Sequence, residues 1–378
     1  MKKYFPQLAW LRGFAAFAVV FYHIRRGINV NYTGNDPMVD NWFFRAIDLG
    51  DFGVLLFFVL SGTTLYLNHQ SFQPKWELSN FFIKRIFRIW PAFFVSLIIS
   101  IAFIPIFSAL YIPELKGYWI EVHADQNYSF SDIFRYLSLV FNITGPHGKF
   151  NVVYWSLPIE FQYYLIFPLL VLSLRWLPYV GPVLIGAILY GLLHTGVRDI
   201  IANAWTLMLA YTFCGGVLIG YLYKKWHERF SLSATTGLVI TLALLVATST
   251  INQAYDDLPA WIQNLPIIGI EMNMFGLLAL AVVLIMIFTN CDSLANSGAS
   301  RLFNFLGEIS YSVYLYHCIF IAIGVLAVLQ FELYSYWSKL MTVTLVTLIG
   351  TVISSYLSYR FIEKPGIQIG RKILRGRS

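Results

Sequence analysis

Ten stretches of about 20 predominantly apolar residues recur along this 378-residue chain. They lie at 7–25, 50–68, 86–108, 152–174, 178–195, 203–223, 234–250, 265–289, 306–329 and 338–361. A helix of that length crosses the roughly 30 Å hydrocarbon core of a bilayer. Lipid offers backbone polar groups no partner, so an isolated apolar run of this kind must be helical. The chain is 58% hydrophobic and 12% charged, against about 25% charged for a soluble domain. These features predict an all-α integral membrane protein, with about ten transmembrane helices in one bundle and a single domain over 1–378. No low-complexity linker or internal repeat divides it. Segment 130–142 is too short and mixed to span, and reads as an interfacial or re-entrant helix.

Charge sets the expected orientation. If the N-terminus is cytoplasmic, 17 of the 26 Lys and Arg fall on that side and eight on the other, with Arg12 inside the first helix. This asymmetry and the even number of spans place both termini in the cytoplasm. Lys2 and Lys3 ahead of an apolar run resemble a signal peptide. The run holds Arg12 and His23 and lacks a small-residue cleavage site, so it reads as a retained helix. The +7 charge flanks the spans and does not form a nucleic-acid patch.

Charged groups inside the spans narrow the chemistry, because an ionisable side chain in lipid is costly and usually faces protein or a wet cavity. Arg12 and His23 are eleven residues apart, so they project from one face about 16 Å apart along the axis. Asp51 opens the second span near the depth of His23 and can accept a hydrogen bond from it; a helix-dipole acid is the plainer reading. Ser61-Gly62 in that span suits close helix packing. Lys84, Arg85 and Arg88 open the third span. The two arginines, at i and i+3, suit a bidentate phosphate grip or a simple anionic-lipid anchor. Trp155 and Glu160 flank Pro158 at the start of the fourth span, with Glu160 in its outer half. Tyr311 and His317 lie in the ninth, where His317 can be a packing residue. His69, His123, His147, His194 and His227 sit in loops or near span ends and receive no role.

Other chemistries lack their signatures. Cys214, Cys291 and Cys318 are scattered without metal spacing and read as free thiols, so no metal site is expected. There is no G-x-S-x-G, H-E-x-x-H, P-loop or Rossmann glycine pattern. Serine hydrolase, zinc peptidase and nucleotidase chemistries are thereby disfavoured.

Taken in order, several motifs resemble the membrane-bound acyltransferase 3 family. They are Arg12-x10-His23, Phe57-Phe58-Val-Leu-Ser61-Gly62 and Arg85-x-x-Arg88-Ile-Trp-Pro91. Trp155-Ser-Leu-x-x-Glu160, Leu306-Gly-x-x-Ser310-Tyr311-Ser-x-Tyr314-Leu-x-His317 and Glu363-Lys-Pro365 complete the set. The resemblance runs from end to end of the chain. It implies transfer of an acyl group, most often acetyl from acetyl-CoA, to a hydroxyl of a surface or lipid-linked carbohydrate such as O-antigen or exopolysaccharide. It also implies a bacterial cytoplasmic membrane location. Members with an extracytoplasmic esterase-like domain exist, and this chain is expected to lack one. Many members carry an acidic residue directly before Leu-Phe-Phe of the second span. Here that position is Leu55, and Asp51 lies one turn earlier, so Asp51 and Glu160 are both candidate partners of His23.

The expected mechanism has His23 as general base, with Asp51 and Glu160 beside it. Acyl-CoA is a co-substrate held by Arg12, Lys84, Arg85 and Arg88, with no permanently bound cofactor. Trp155, Ser61, Tyr311 and His317 bind substrate or shape the site. Tyr32, Trp42, Tyr111, Tyr118, Trp119 and Tyr128 in loops 26–49 and 109–151 are candidates for stacking on sugar rings, and membrane lipid is a partner throughout. The rival classes are a proton-coupled transporter of a sugar or small solute, and a non-catalytic scaffold. Neither an inverted repeat nor paired broken helices supports the transporter.

Overall fold

The computed structural model describes residues 5–28, 49–72, 76–110, 121, 123, 125, 127–145, 148–197, 204–253, 271–295, 297–333 and 335–375. The helices that frame the fold are α1 (Pro6–Gly27), α2 (Gly50–Asn68), α3 (Trp76–Ala109) and α4 (Phe130–Leu137). They continue as α5 (Ser156–Trp176), α6 (Gly181–Gly191), α7 (Ala210–Trp226), α8 (Ala234–Gln253) and α9 (Glu271–Ile287). The last three are α10 (Gly298–Gln330), α11 (Tyr336–Ser358) and α12 (Lys364–Arg375). Leu232–Ser233 and Thr289–Asn290 pair in parallel, the single β-bridge among the described residues.

Local sequence explains the helix ends. Pro6 opens α1, where its missing N–H costs nothing. Arg25 and Arg26 in the last turn complement the helix dipole. A π-helical turn at Tyr359–Glu363 joins α11 to α12. There α12 lies across α3, with Gly366 and Gly370 facing Phe87.

The segment expected at 130–142 is the amphipathic α4 and a following helical turn. Its N-terminus is a capping box. Ser129 Oγ accepts from the Asp132 amide, and Asp132 accepts from the Ser129 amide. Lys149 also reaches Asp132, at 2.9 Å. The Ser129 amide bond, then the Lys149 hydrogen bond, hold the Asp132 carboxyl down to about 2. Tyr136 turns inward to stack on Phe141, while Phe130 and Phe134 point outward on the opposite face.

Seven described helices are long and apolar enough to cross a membrane: Pro6–Gly27, Gly50–Asn68, Glu77–Ala109, Val152–Trp176, Trp205–Trp226, Gly298–Gln330 and Tyr336–Arg375. The other three expected spans are shorter apolar helices, Gly181–His194, Ala234–Ala247 and Asn273–Phe288. Over the stretches so counted these helices reach about 20–25 Å at 1.5 Å per residue, although α8 as a whole runs 20 residues. Chain direction nevertheless requires these short helices to act as passes. Tyr163 meets Thr206 and Phe167 meets Phe213, so α5 and α7 run the same way. Tyr211 faces Gly276 and Leu280 faces Gly215, so α7 and α9 also run the same way. Between parallel neighbours the chain must return, through α6 in the first case and α8 in the second.

The bundle has two apolar cores. The larger joins α2, α3, α5, α7 and α9, and the smaller lies where α1 meets α10 and α11. Large apolar side chains outside them, such as Ile98, Leu169, Val183, Leu242 and Ile349, are exposed on the outer faces, where lipid would cover them.

Candidate active site

Close packing of α1 on α10 builds the centre of the site. A Cβ on Gly307 would collide with the Ala9 carbonyl, and one on Gly13 would lie 3.0 Å from Leu306 Cβ. Glycine at both positions lets the backbones touch. Ten residues further along each helix stand His23 and His317, whose Nδ1 and Nε2 are 2.8 Å apart. The rings stack with centroids 5.1 Å apart. His317 is fully buried and His23 half-buried.

The partners fix the tautomers. His317 Nδ1 lies 3.0 Å from the Val313 carbonyl, which can only accept. Nδ1 therefore carries the proton. In a pair of neutral imidazoles, Nε2 of His317 then accepts from Nδ1–H of His23. The remaining nitrogen of His23, Nε2, keeps its lone pair. This is the arrangement of a general base oriented by a second group.

Cys318 completes a cluster whose ligand atoms lie within 4.8 Å of one another. All three cysteines are free and buried, and Cys318 stands beside both imidazoles, which its sequence spacing did not reveal. Two nitrogens on tetrahedral zinc sit about 3.3 Å apart. The 2.8 Å separation here is that of a hydrogen bond.

A cavity of about 930 Å³ lies on the basic side of this pair. Arg12, Lys84, Arg85, Arg88, Lys224 and Arg371 line it, and Glu160 is the one carboxylate among its lining residues. Lys84, Lys224 and Arg371 are exposed at the rim, while Arg12, Arg85 and Arg88 are half-buried. Its deep end is closed by Tyr314, whose hydroxyl meets Ser156 Oγ at 2.7 Å and the Val153 carbonyl at 2.8 Å. The Tyr314 ring is 6.1 Å from that of His317, so the floor adjoins the imidazole pair.

Arg12 donates to Thr64 Oγ1 at 2.9 Å and lies within electrostatic reach of Glu160. Glu160 accepts from Ser61 Oγ at 3.0 Å and from the Tyr164 hydroxyl. Arg85 in turn stacks over the Tyr164 ring at 5.8 Å. Glu160 thus belongs to the arginine cavity, which corrects both its expected depth and its expected pairing with His23. Asp51 occupies the first turn of α2, and His317 stands against His23 Nδ1. Of the remaining candidates, Tyr311 lines the cavity and ties α10 to the Ile89 carbonyl at 3.0 Å, next to Arg88. Trp155 packs edge-on against Trp205, outside the cavity lining. Tyr128 packs on Phe150; Tyr32, Trp42, Tyr111, Tyr118 and Trp119 lie outside the described residues.

Three residues of these surroundings were not selected from sequence. Lys224 and Arg371 are ordinary span-flanking cations until the fold brings them to one rim. His123 follows α3 in a loop, yet it is fully buried and within electrostatic reach of His317.

A multi-pass helical bundle with a cation-lined cavity, one lining residue of which, Tyr314, packs beside a paired imidazole, is a framework suited to group transfer within a membrane. The chain belongs to the acyltransferase 3 family, whose model, described as an acyltransferase domain, matches residues 5–360. It resembles Listeria monocytogenes peptidoglycan O-acetyltransferase OatA, at 24% identity over 96% of this chain and 56% of that protein. Nodulation protein 10 of Rhizobium leguminosarum is 24% identical over 97% of this chain and 94% of its own length. O-acetyltransferase OatA of Staphylococcus aureus is 25% identical over 96% of this chain and 57% of its own length. The chain therefore spans little more than half of the OatA proteins. No solved structure matches it significantly. The protein is a multi-pass membrane acyltransferase that transfers an acyl group to a hydroxyl.

Proposed function

We propose that the acyl donor is an acyl-CoA, most simply acetyl-CoA, and that the acceptor is a hydroxyl of a surface or lipid-linked carbohydrate. The observation that carries this reading is the cavity's charge: six cations against one carboxylate, in a cavity lined by Tyr314, whose ring neighbours that of His317. Coenzyme A carries its phosphates at one end and its thioester at the other. The phosphates suit Arg85 and Arg88 with the rim cations, and the pantetheine arm runs past Arg12 toward Tyr314. This orientation puts the basic end, with both termini, in the cytoplasm of a bacterial cell. The carbohydrate approaches from the far end.

His23 Nε2 takes the proton of the acceptor hydroxyl as its oxygen attacks the thioester carbonyl. The carbon–sulfur bond breaks, the ester forms, and the proton passes to the leaving thiolate. His317 holds the base in its working tautomer. Glu160 keeps Arg12 in place and neutralises part of the cavity's charge. The OatA names, which specify O-acetylation and in Listeria peptidoglycan, support a carbohydrate acceptor.

The test is acetyl-CoA binding to the purified protein in nanodiscs. Arg85→Ala combined with Arg88→Ala is expected to weaken affinity at least tenfold, with a shallower salt dependence than wild type. Equal affinity for the two proteins would return these arginines to lipid anchoring.

A further inference from the structure

One wall of the cavity has no task in the transfer step. Phe5, Asn68, Tyr223, Lys224 and His227 line it, from the start of α1 and the ends of α2 and α7. Backbone contacts set the last two helices side by side. Gly62 faces the Phe213 carbonyl and Gly220 faces that of Thr63, so α2 and α7 run the same way and finish together.

The aromatic rings of this wall form a column. Tyr223 meets Phe5 edge-on, at a centroid distance of 5.3 Å, and Phe288 at 5.4 Å. His227 stacks on Tyr223 at 4.9 Å, with 29° between the planes. His227 Nδ1 lies 3.0 Å from the Tyr223 carbonyl one turn earlier, which fixes the orientation of the ring. One face of the imidazole is thus covered by Tyr223, and the half-buried ring lines the cavity with the rest. At the adjoining end of α2, Asn68 Nδ2 donates to the Thr64 carbonyl at 2.7 Å, which orients the amide with Oδ1 as its acceptor. Lys224 stands three residues before His227, on the same helical face. A preformed aromatic platform, an amide acceptor and a cation in one wall suit a base with an exocyclic amine and a phosphate on its sugar.

We propose that this wall is an adenosine subsite. The inference rests on the acyl-CoA reading above and assigns the recognition that the phosphate-binding arginines do not provide. The adenine of acyl-CoA extends the Tyr223–His227 column by one ring. Its amine donates to Asn68 Oδ1, and the ribose phosphate pairs with Lys224. The diphosphate then meets Arg85 and Arg88, and the pantetheine arm runs inward. Such a subsite tells free acyl-CoA from an acyl-pantetheine carried on a protein, which presents a phosphate and no nucleoside. Cations alone would accept either.

The test is binding of acetyl-CoA, and of acetyl-phosphopantetheine, which lacks the nucleoside, to the full chain in nanodiscs. Stacking one base on an aromatic ring is worth about tenfold or more in affinity. His227→Ala is expected to lose that factor for acetyl-CoA and none for acetyl-phosphopantetheine, the second ligand reporting that the cavity is intact. His227→Phe keeps a ring on Tyr223 and is expected to bind both ligands as wild type does. Unchanged acetyl-CoA affinity in His227→Ala would overturn the proposal, because His227 would then only finish α7. So would an equal loss for both ligands, or a loss that His227→Phe does not restore. Equal binding of the two ligands by wild type would overturn it while leaving a pantetheine thioester as donor. A wild-type protein that binds neither would remove the acyl-CoA reading, and this inference with it, an outcome distinct from the others.

Discussion

A carbonyl four residues before His317 decides where the protons of the imidazole pair sit, and the proposed role of His23 as base depends on it. That chain of constraint, Val313 to His317 to His23, predicts a division of effects. His317→Ala is expected to cut turnover about 10²- to 10⁴-fold while acetyl-CoA binding stays at the wild-type level. Turnover and equilibrium binding, measured on one preparation, check it. His317 was visible in the sequence as a histidine in mid-span, but its partner was not. The pairing spans 294 positions and depends on how two helices are docked, whereas Asp51 and Glu160 offered the better chemistry on paper. Glu160 carried a readable clue to its own partner, since Tyr164 lies at i+4 on the same helix and donates its hydroxyl to it. His123 carried none. Its burial goes with contacts to Phe103 and Phe107 of α3, and no local pattern records that.

Helix-level features were more legible, because apolar run length and helix caps are local. Each of the ten expected runs carries a helix over its described residues, and the capping box of α4 is written in Ser129 and Asp132. The carboxyl of Asp132 is held at about 2, below its ordinary 3.8. Its folded value is depressed, so the ionised group stabilises the loop above the ordinary value, and that stabilisation is lost as pH falls toward about 2. Asp132→Asn is therefore expected to speed amide exchange over residues 127–149 at pH 7. The difference from wild type should close between about pH 4 and about 2. At the cavity rim, Arg371 hangs from α12, which is fixed to α3 through Gly366 and Gly370. Arg371→Gln is expected to weaken acetyl-CoA binding by a smaller factor than the Arg85 and Arg88 pair, since it is exposed and screened. Binding isotherms at two salt concentrations separate the two effects.

Across the whole molecule, direction carries information that length does not. Helices α6 and α9 fall below the length of a full span, yet α6 and α8 join neighbours whose directions need them as passes. An even number of passes puts the two ends of the chain on the same face. Tags at the N- and C-termini, probed with an impermeant thiol reagent in intact cells, are expected to be equally protected. Protection of only one would show an odd number of crossings. The lining of the cavity was partly foreseen from charge, since Lys84, Arg85 and Arg88 cluster in sequence. Arg12, Lys224 and Arg371 join them from three other helices or their ends.

Gly13 and Gly307, and then His23 and His317, mark equal intervals on two helices that run side by side. The bundle thus behaves like a vernier whose two scales coincide at the imidazole pair. One residue inserted between Gly307 and His317 would advance the imidazole by about 1.5 Å and swing it by roughly 100°, out of reach of its mate. A matching insertion between Gly13 and His23 would bring the scales back into coincidence. The interval is therefore free to drift only if both helices change together, which couples two segments almost 300 positions apart in any lineage that keeps the chemistry.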